Sequence, residues 1–567
     1  MNKLELCNLT PFGAVPSARQ IRHLRYFGKK AFIHFGINTF TDLEWGKGTE
    51  DISIFNPTET DVRQWVKIIK AAGFTMAILT AKHHDGFCLW PSKYNTHNIS
   101  NTPYKDGKGD LVREFTDACH EMGVYVGIYL SPWDRNSPLW GKAEYSAFYN
   151  NQLTELLTNY GRIDEVWWDA AGSQETPYDW GLWAHTVRNL QPEAVMFGSL
   201  GAAPYVEVHW VGNESGYAGD PHYCTLSNRA LEVEDTVELN SGLFGGERFV
   251  PAEVDVSIRP GWFYHPEQDD AVKSTAKLVR IWLDSVGKSS MMLLNFPPDR
   301  RGLIPDTDAA NAIRAHQIIA TTFAANLAEN AKASADSVRH PLAEAEMMLV
   351  NDYDCFYAAA DDNITPTIYI DLPRKVEFDC FSIGEYIELG QRVRGYKVEA
   401  LVEDNWVELA DKKSIGYKNI QYFDPVTSDK IRISIYDAAA APVIREFGIY
   451  KFSVDLFKEE RETRGKMQSA KDLAKLSTAT LSFEEKSVTV EFGGIYPFNT
   501  IKFNGNFIPR YELYAFDGSK YYLIHKGVKP APDEVVHLDK TIEGSYQLKL
   551  VSPARIREDI DIRIYEL

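Results

Sequence analysis

The sequence predicts a multidomain chain: an N-terminal TIM-like (β/α)8 barrel with an incomplete helical ring, followed by two β-sandwich domains. Three observations carry that reading. The chain has 567 residues, room for about three or four domains at roughly 100–200 residues each. Its first half alternates short apolar runs with amphipathic segments, the pattern of parallel strands joined by helices. From about Pro341 helical periodicity gives way to alternating strands, the texture of sandwiches. The expected domains are a barrel over residues 1–340, a β-sandwich over 341–455, and a second sandwich over 456–567 after a charged connector.

In order, the expected barrel strands are Phe32–Ile37, Met76–Ala81, Tyr125–Ser131, Glu165–Ala170, Ala194–Gly198, Val206–Gly212, Phe249–Ile258 and Ser290–Asn295. Between them lie the expected helices Glu59–Ala72, Asp110–Gly123, Ala143–Tyr160, Tyr178–Leu190 and Asp270–Val286. Thr60 before Asp61 reads as a start signal and Gly123 as a stop. Ser215–Arg248 reads as loop, which leaves the helical ring incomplete. A doubly wound sheet is the other fold this alternation allows. Beyond the barrel, Thr367–Asp371, Gly395–Val402 and Lys430–Ile435 read as strands. A weak repeat relates Arg394–Trp406 to Arg510–Tyr522, each placing a polar turn between an alternating strand and an aromatic. The highly charged Glu459–Lys475 reads as a helix-capable connector.

A formal charge of −19 argues against nucleic acid and anionic membranes, both of which need clustered Lys and Arg. No stretch approaches the roughly 20 apolar residues of a membrane span, and the first residues lack the apolar core of a signal peptide. The compartment and the oligomeric state stay open. The six scattered cysteines form no CxxC pair and read as reduced structural thiols. No cofactor is expected.

Catalytic groups of such barrels sit where strands end. The ends here are His34-Phe-Gly36, the run Thr80–Phe87 with His83 and His84, Tyr129–Arg135, Trp167-Trp-Asp169, His209–Gly216 with Glu214, and Arg259-Pro-Gly-Trp262. Each mixes aromatics with His, Arg or a carboxylate. Glycoside hydrolysis needs two carboxyl groups flanking an anomeric carbon. Asp169 and Glu214, from the fourth and sixth strands, fit that need, with Trp167 and its neighbours as stacking surfaces. An Asp at a strand end also caps helices, and a loop Glu also forms surface ion pairs. The run His83-His84-Asp85 contains metal-ligand types, but adjacent strand residues point to opposite faces and no HxH or HExxH spacing exists. No metal site is expected.

The stretch Phe32–Gly46, the TAKHHDGF run at Thr80–Phe87 and WWDAAG at Trp167–Gly172 resemble glycoside hydrolase family 29, the α-L-fucosidases. HWVGNESG at His209–Gly216, VSIRPGWFYH at Val256–His265 and NFPPDRRG at Asn295–Gly302 resemble its branch cleaving α-1,3/1,4 linkages. The resemblance covers about residues 10–320. It implies a metal-free, retaining exo-α-L-fucosidase acting on fucosylated oligosaccharides. By motif match the nucleophile falls on Asp169 and the acid/base on Glu214. The sugar contacts fall on His34, Glu44, Trp45, His83, His84, Tyr129, Arg259 and Trp262. His209 has no role in this reading. Through Arg394–Leu409 and the run Lys430–Tyr450, the first C-terminal region resembles coagulation factor 5/8 type C, discoidin-like modules, which implies a carbohydrate-binding-like domain over 341–455 behind the catalytic barrel. A silent glycan-binding protein, a metal-dependent hydrolase, or a glycosidase for another sugar such as galactose are the alternative readings.

Overall fold

The computed structural model describes residues 3–169, 171–172, 176–350, 352–505, 508–557 and 559–567, and Glu459 by its backbone alone. The barrel strands are β1 (Lys29–Ile33), β2 (Met76–Lys82), β3 (Tyr125–Leu130), β4 (Glu165–Trp167), β5 (Val195–Phe197), β6 (His209–Trp210), β7 (Ala252–Ser257) and β8 (Met291–Asn295). They pair in the order β5-β4-β3-β2-β1-β8-β7-β6. A parallel bridge from Phe197 to Val208 brings the two ends together, so the sheet nearly closes into a barrel.

Strand β1 begins three residues before the expected Phe32, because Lys29 and Lys30 belong to it. Lys30 points into the barrel, where its ammonium lies 2.6 Å from Glu165 and also pairs with Glu253. All three side chains are fully buried. Two carboxylates offset the cost of burying one cation. Burial and the neighbouring charge of Glu165 push the Glu253 carboxyl up to about 7. The expected strand Phe249–Ile258 is split at Pro251, which has no N–H to give to a ladder. Before the break, Arg248–Phe249 pairs with Thr225–Leu226; after it, β7 enters the barrel. The expected last residue of the fourth strand, Ala170, lies outside the described residues.

The helices follow their caps. Asp61, Asp110, Asp179 and Ser274 each accept from the backbone N–H three residues on, opening Val62–Ala71, Leu111–Met122, Trp180–Leu190 and Thr275–Ser285. The first cap is therefore Asp61 rather than Thr60. Gly123 closes its helix in the left-handed region at φ +70°. Tyr145–Asn159 completes the expected set, and Asp306–Phe323, not expected, follows β8. Ser215–Arg248 is not all loop: Ser227 and Asp235 cap two short helices, Asn228–Val233 and Thr236–Ser241. The connection from β5 to β6 has only the 3-10 turn Leu200–Tyr205, and there the ring is incomplete.

The next region is a seven-stranded antiparallel sheet, joined already by Lys332–Ala335. The three strands expected here lie within Thr367–Glu385, Val393–Val402 and Asn419–Ala438. The two longest pair from Thr367 opposite Ser434 to Ile383 opposite Asn419, with register shifts after Asp371 and Phe378. Such bulges bend a strand, which lets it curve around a core containing Phe378, Phe381, Ile431 and Ile433.

By compactness the chain divides into two units, Val454–Leu567 with the short segment Asn213–Tyr217, and the remainder. The sheet of the former has six antiparallel strands over a core including Val488, Phe498, Leu513 and Leu548. The charged connector forms the helix Lys458–Ser469. The two halves of the weak repeat are two hairpins, closing at Val402 opposite Asn405 and at Phe516 opposite Tyr521. No described helix is long and apolar enough to cross a membrane.

Candidate active site

The carboxyl ends of β1 to β4 and of β7 deliver most of the expected residues to one place. The His34 ring centroid lies 5.7 Å from His83, 6.1 Å from Tyr129 and 5.1 Å from Trp262. His83 and His84 are 4.1 Å apart. The expectation that these two neighbours face opposite ways fails, because both follow the end of β2, beyond the alternating strand. Trp45, half-exposed, meets His84 edge-on at 5.8 Å. Trp167 stacks on Phe197 at 3.9 Å, lies 5.3 Å from Tyr129 and donates its indole N–H to Glu253. The buried ionic cluster thereby holds the aromatic floor.

Asp169 stands two residues past β4. Its Oδ2 accepts from the Tyr129 hydroxyl at 3.0 Å and its Oδ1 from the Ala171 N–H at 2.8 Å. Burial, then the Asp169 charge, push the Tyr129 phenol well above its usual range, so it remains a donor. The Asp169 side chain keeps 26% of its surface exposed.

The histidines around it are buried, and for His83 and His84 burial disfavours the charged form. His84 Nδ1 lies 2.7 Å from Ser131 Oγ, whose own proton goes to the Trp133 carbonyl at 2.8 Å. Nδ1 must therefore donate, and Nε2, 3.6 Å from Asp169 Oδ2, presents its lone pair. Burial, helped by Arg135, lowers His84 to about 3. Burial also holds His83 well below the usual imidazole range, with His84 and His34 adding to it. The His34 tautomer is fixed by Asn295, whose Oδ1 accepts from Nδ1 at 2.9 Å and from the backbone N–H at 3.1 Å. The Asn295 amide is itself oriented by donating to Ser257 Oγ and the Trp262 carbonyl. Asn295 carries no role in the sequence reading, although it opens the NFPPDRRG run.

Glu44 has its oxygens largely committed. Oε2 accepts from the Trp262 N–H at 2.8 Å; Oε1 accepts from the Phe263 N–H at 3.3 Å and from His265 Nε2 at 2.6 Å. Burial would raise its carboxyl, but the bonds from His265 and Trp262 outweigh that and hold it low. His265 also donates from Nδ1 to Asp42 at 2.8 Å. The hydrogen bond to Glu44 first, against burial and with Asp42 helping, lifts His265 to about 9. Glu44 thus fixes the backbone that carries Trp262. Asp42, His265 and Glu267 also lie close enough to share a cation, but an imidazolium donating from both nitrogens has no lone pair for a metal.

Arg259 departs from the expected sugar contact. It is buried, donates twice to Asp308 at 2.8 Å and once to Asp269 at 2.8 Å. Its fork ties the end of β7 to the helix Asp306–Phe323. His209 is buried and faces the Leu239 carbonyl at 3.1 Å, steadying the short helix there. Glu214 follows β6 in the segment Asn213–Tyr217, with its side chain 39% exposed and 2.7 Å from Lys529 Nζ.

Buried imidazoles and aromatic faces gathered at these strand ends suit a polyol ring, with ring nitrogens for hydroxyls and flat surfaces for C–H bonds. A parallel barrel with histidines, aromatic rings and a part-exposed carboxylate at its strand ends fits the class of glycoside hydrolases. The α-L-fucosidase family model matches residues 34–313. α-L-Fucosidase 1 of Arabidopsis thaliana is 37% identical over 458 residues, 78% of this chain and 89% of its own. A Bacteroides thetaiotaomicron structure assigned as an α-L-fucosidase superposes with a TM-score of 0.77 at 46% identity, covering 79% of this chain and 100% of its own. A Ruminococcus gnavus family 29 fucosidase in complex with fucose gives 0.72 at 31%, covering 79% and 97%. The chain belongs to the α-L-fucosidases of glycoside hydrolase family 29, and a fucosylated glycan is its implied substrate.

Proposed function

We propose that the protein is a retaining exo-α-L-fucosidase that releases terminal α-1,3/1,4-linked fucose, with Asp169 as nucleophile and Glu214 as acid/base. The observation that carries this is Asp169 itself: a part-exposed carboxylate at a strand end, accepting from a hydroxyl and a backbone N–H beside the buried ring of His84. His34, His83 and His84 hold the sugar hydroxyls, and Trp45, Trp167 and Trp262 cover its apolar side. An Asp169 oxygen attacks the anomeric carbon while the bond to the leaving oxygen breaks and Glu214 gives that oxygen its proton. Water then adds to the same carbon, passing a proton to Glu214, and the Asp169 carboxylate departs with net retention. Neutral imidazoles matter because positive charge grows on the ring. A cation about 5 Å away would oppose it by about 3 kcal/mol at an effective dielectric of about 20.

Asp169→Ala abolishes turnover, and added azide restores it with formation of the β-fucosyl azide. A rescued product of retained configuration refutes the nucleophile assignment. Release from α-1,2-, α-1,3-, α-1,4- and α-1,6-fucosylated oligosaccharides reads the linkage; equal rates on all four refute the branch.

A further inference from the structure

We propose that Lys529 is a positioning residue for the Glu214 carboxylate, a role that rests on the reading of Glu214 as acid/base. The two belong to one compact unit, and their charged atoms are 2.7 Å apart. The lysine side chain is only 20% exposed against 39% for the glutamate, so the ammonium is the more withdrawn partner. That distinguishes the pair from the freely exposed ones, which contribute little.

The backbone around each partner is prepared. Lys529 follows the strand Tyr521–Val528 and has φ +45°, a left-handed conformation unusual for a residue with a side chain. Its N–H donates to the Pro509 carbonyl at 2.8 Å, which holds that conformation. On the other side, Asn213 closes its loop by accepting from the Ser215 N–H at 2.9 Å and donating to the Tyr217 carbonyl at 3.0 Å. Asn213 thus fixes the backbone of Glu214, and Lys529 fixes its head.

The chemistry of an acid/base gives this contact a use. With Oε2 held by the ammonium, the carboxyl keeps one orientation while it gives its proton to the leaving group and later takes one from water. The ammonium also stabilises the carboxylate left behind at the moment the proton departs. A leaving group that needs a proton depends on Lys529; one that leaves as a stable anion does not.

The test compares wild type, Lys529→Met, Lys529→Gln, Lys529→Arg, Glu214→Gln and the Lys529→Met/Glu214→Gln double variant, all as full chains. Each is assayed on a fucosylated oligosaccharide and on α-L-fucosyl fluoride, whose fluoride needs no protonation. Loss of one charge-assisted hydrogen bond lowers kcat/KM on the oligosaccharide about tenfold in the Met and Gln variants. The kcat/KM on the fluoride stays within about twofold, Arg restores most of the loss, and Lys529→Met adds nothing in the Glu214→Gln background. Equal losses on both substrates, or a Met effect that persists on top of Glu214→Gln, overturn the proposal while leaving Glu214 in place. Equal losses on both substrates in Glu214→Gln itself overturn the acid/base reading instead. A neutral variant that does not fold hands the decision to the other.

Discussion

His265 gives the protein a stability that alkali removes. Its folded value of about 9 lies above the ordinary 6.5 of an imidazole, because Glu44 and Asp42 bind its charged form. The stabilisation is fully present below pH 6.5 and is lost as pH rises through 9. The difference between 6.5 and about 9 corresponds to at most about 3.4 kcal/mol. Asp42, with 45% of its side chain exposed, shares its half of the clamp with solvent, so on the order of 2 kcal/mol is the better expectation. For a cooperative unit of roughly 450 residues that is a Tm difference of about 2 °C. The assay melts wild type and His265→Gln side by side from pH 6 to pH 10. The wild-type advantage shrinks across pH 7–10 and KM rises with it, since Glu44 carries the backbone of Trp262. A gap that stays constant from pH 6 to pH 10 refutes the clamp.

Arg259→Met removes a buried fork from two aspartates; it lowers stability by about 3–5 kcal/mol, read by melting, while the folded fraction keeps its KM. Ser131→Ala frees the His84 tautomer, letting Nε2–H face Asp169. KM rises about tenfold, in line with a lost hydrogen bond to a hydroxyl, while the melting temperature moves little; an unchanged KM refutes the tautomer argument.

What sequence shows depends on whether a residue acts through its own type or through its neighbours. The parallel strands were legible because Met76–Lys82 and Met291–Asn295 are nearly unbroken apolar runs. Lys29 and Lys30 were not, since a charged pair reads as loop until Lys30 is known to face Glu165 and Glu253 and Lys29 the Ala72 carbonyl. Pro251 breaks a run whose apolar pattern continues across it. His34, His83, His84, Tyr129 and Trp262 meet as the strand ends suggested. Arg259 belongs to the same kind of motif but is claimed by Asp308, a helix away and absent from any local pattern. Asn295 and His265 act by orienting other side chains, and nothing in their own spacing announces that.

The Lys30, Glu165 and Glu253 cluster limits how this barrel can change. One ammonium answers two carboxylates where no water reaches, so losing the lysine strands both of them, whereas losing one carboxylate leaves a matched pair. Lys30 can therefore drift only together with the acids that face it. Because Trp167 hangs from the same cluster by its indole N–H, any such exchange also resets the surface on which the sugar would rest.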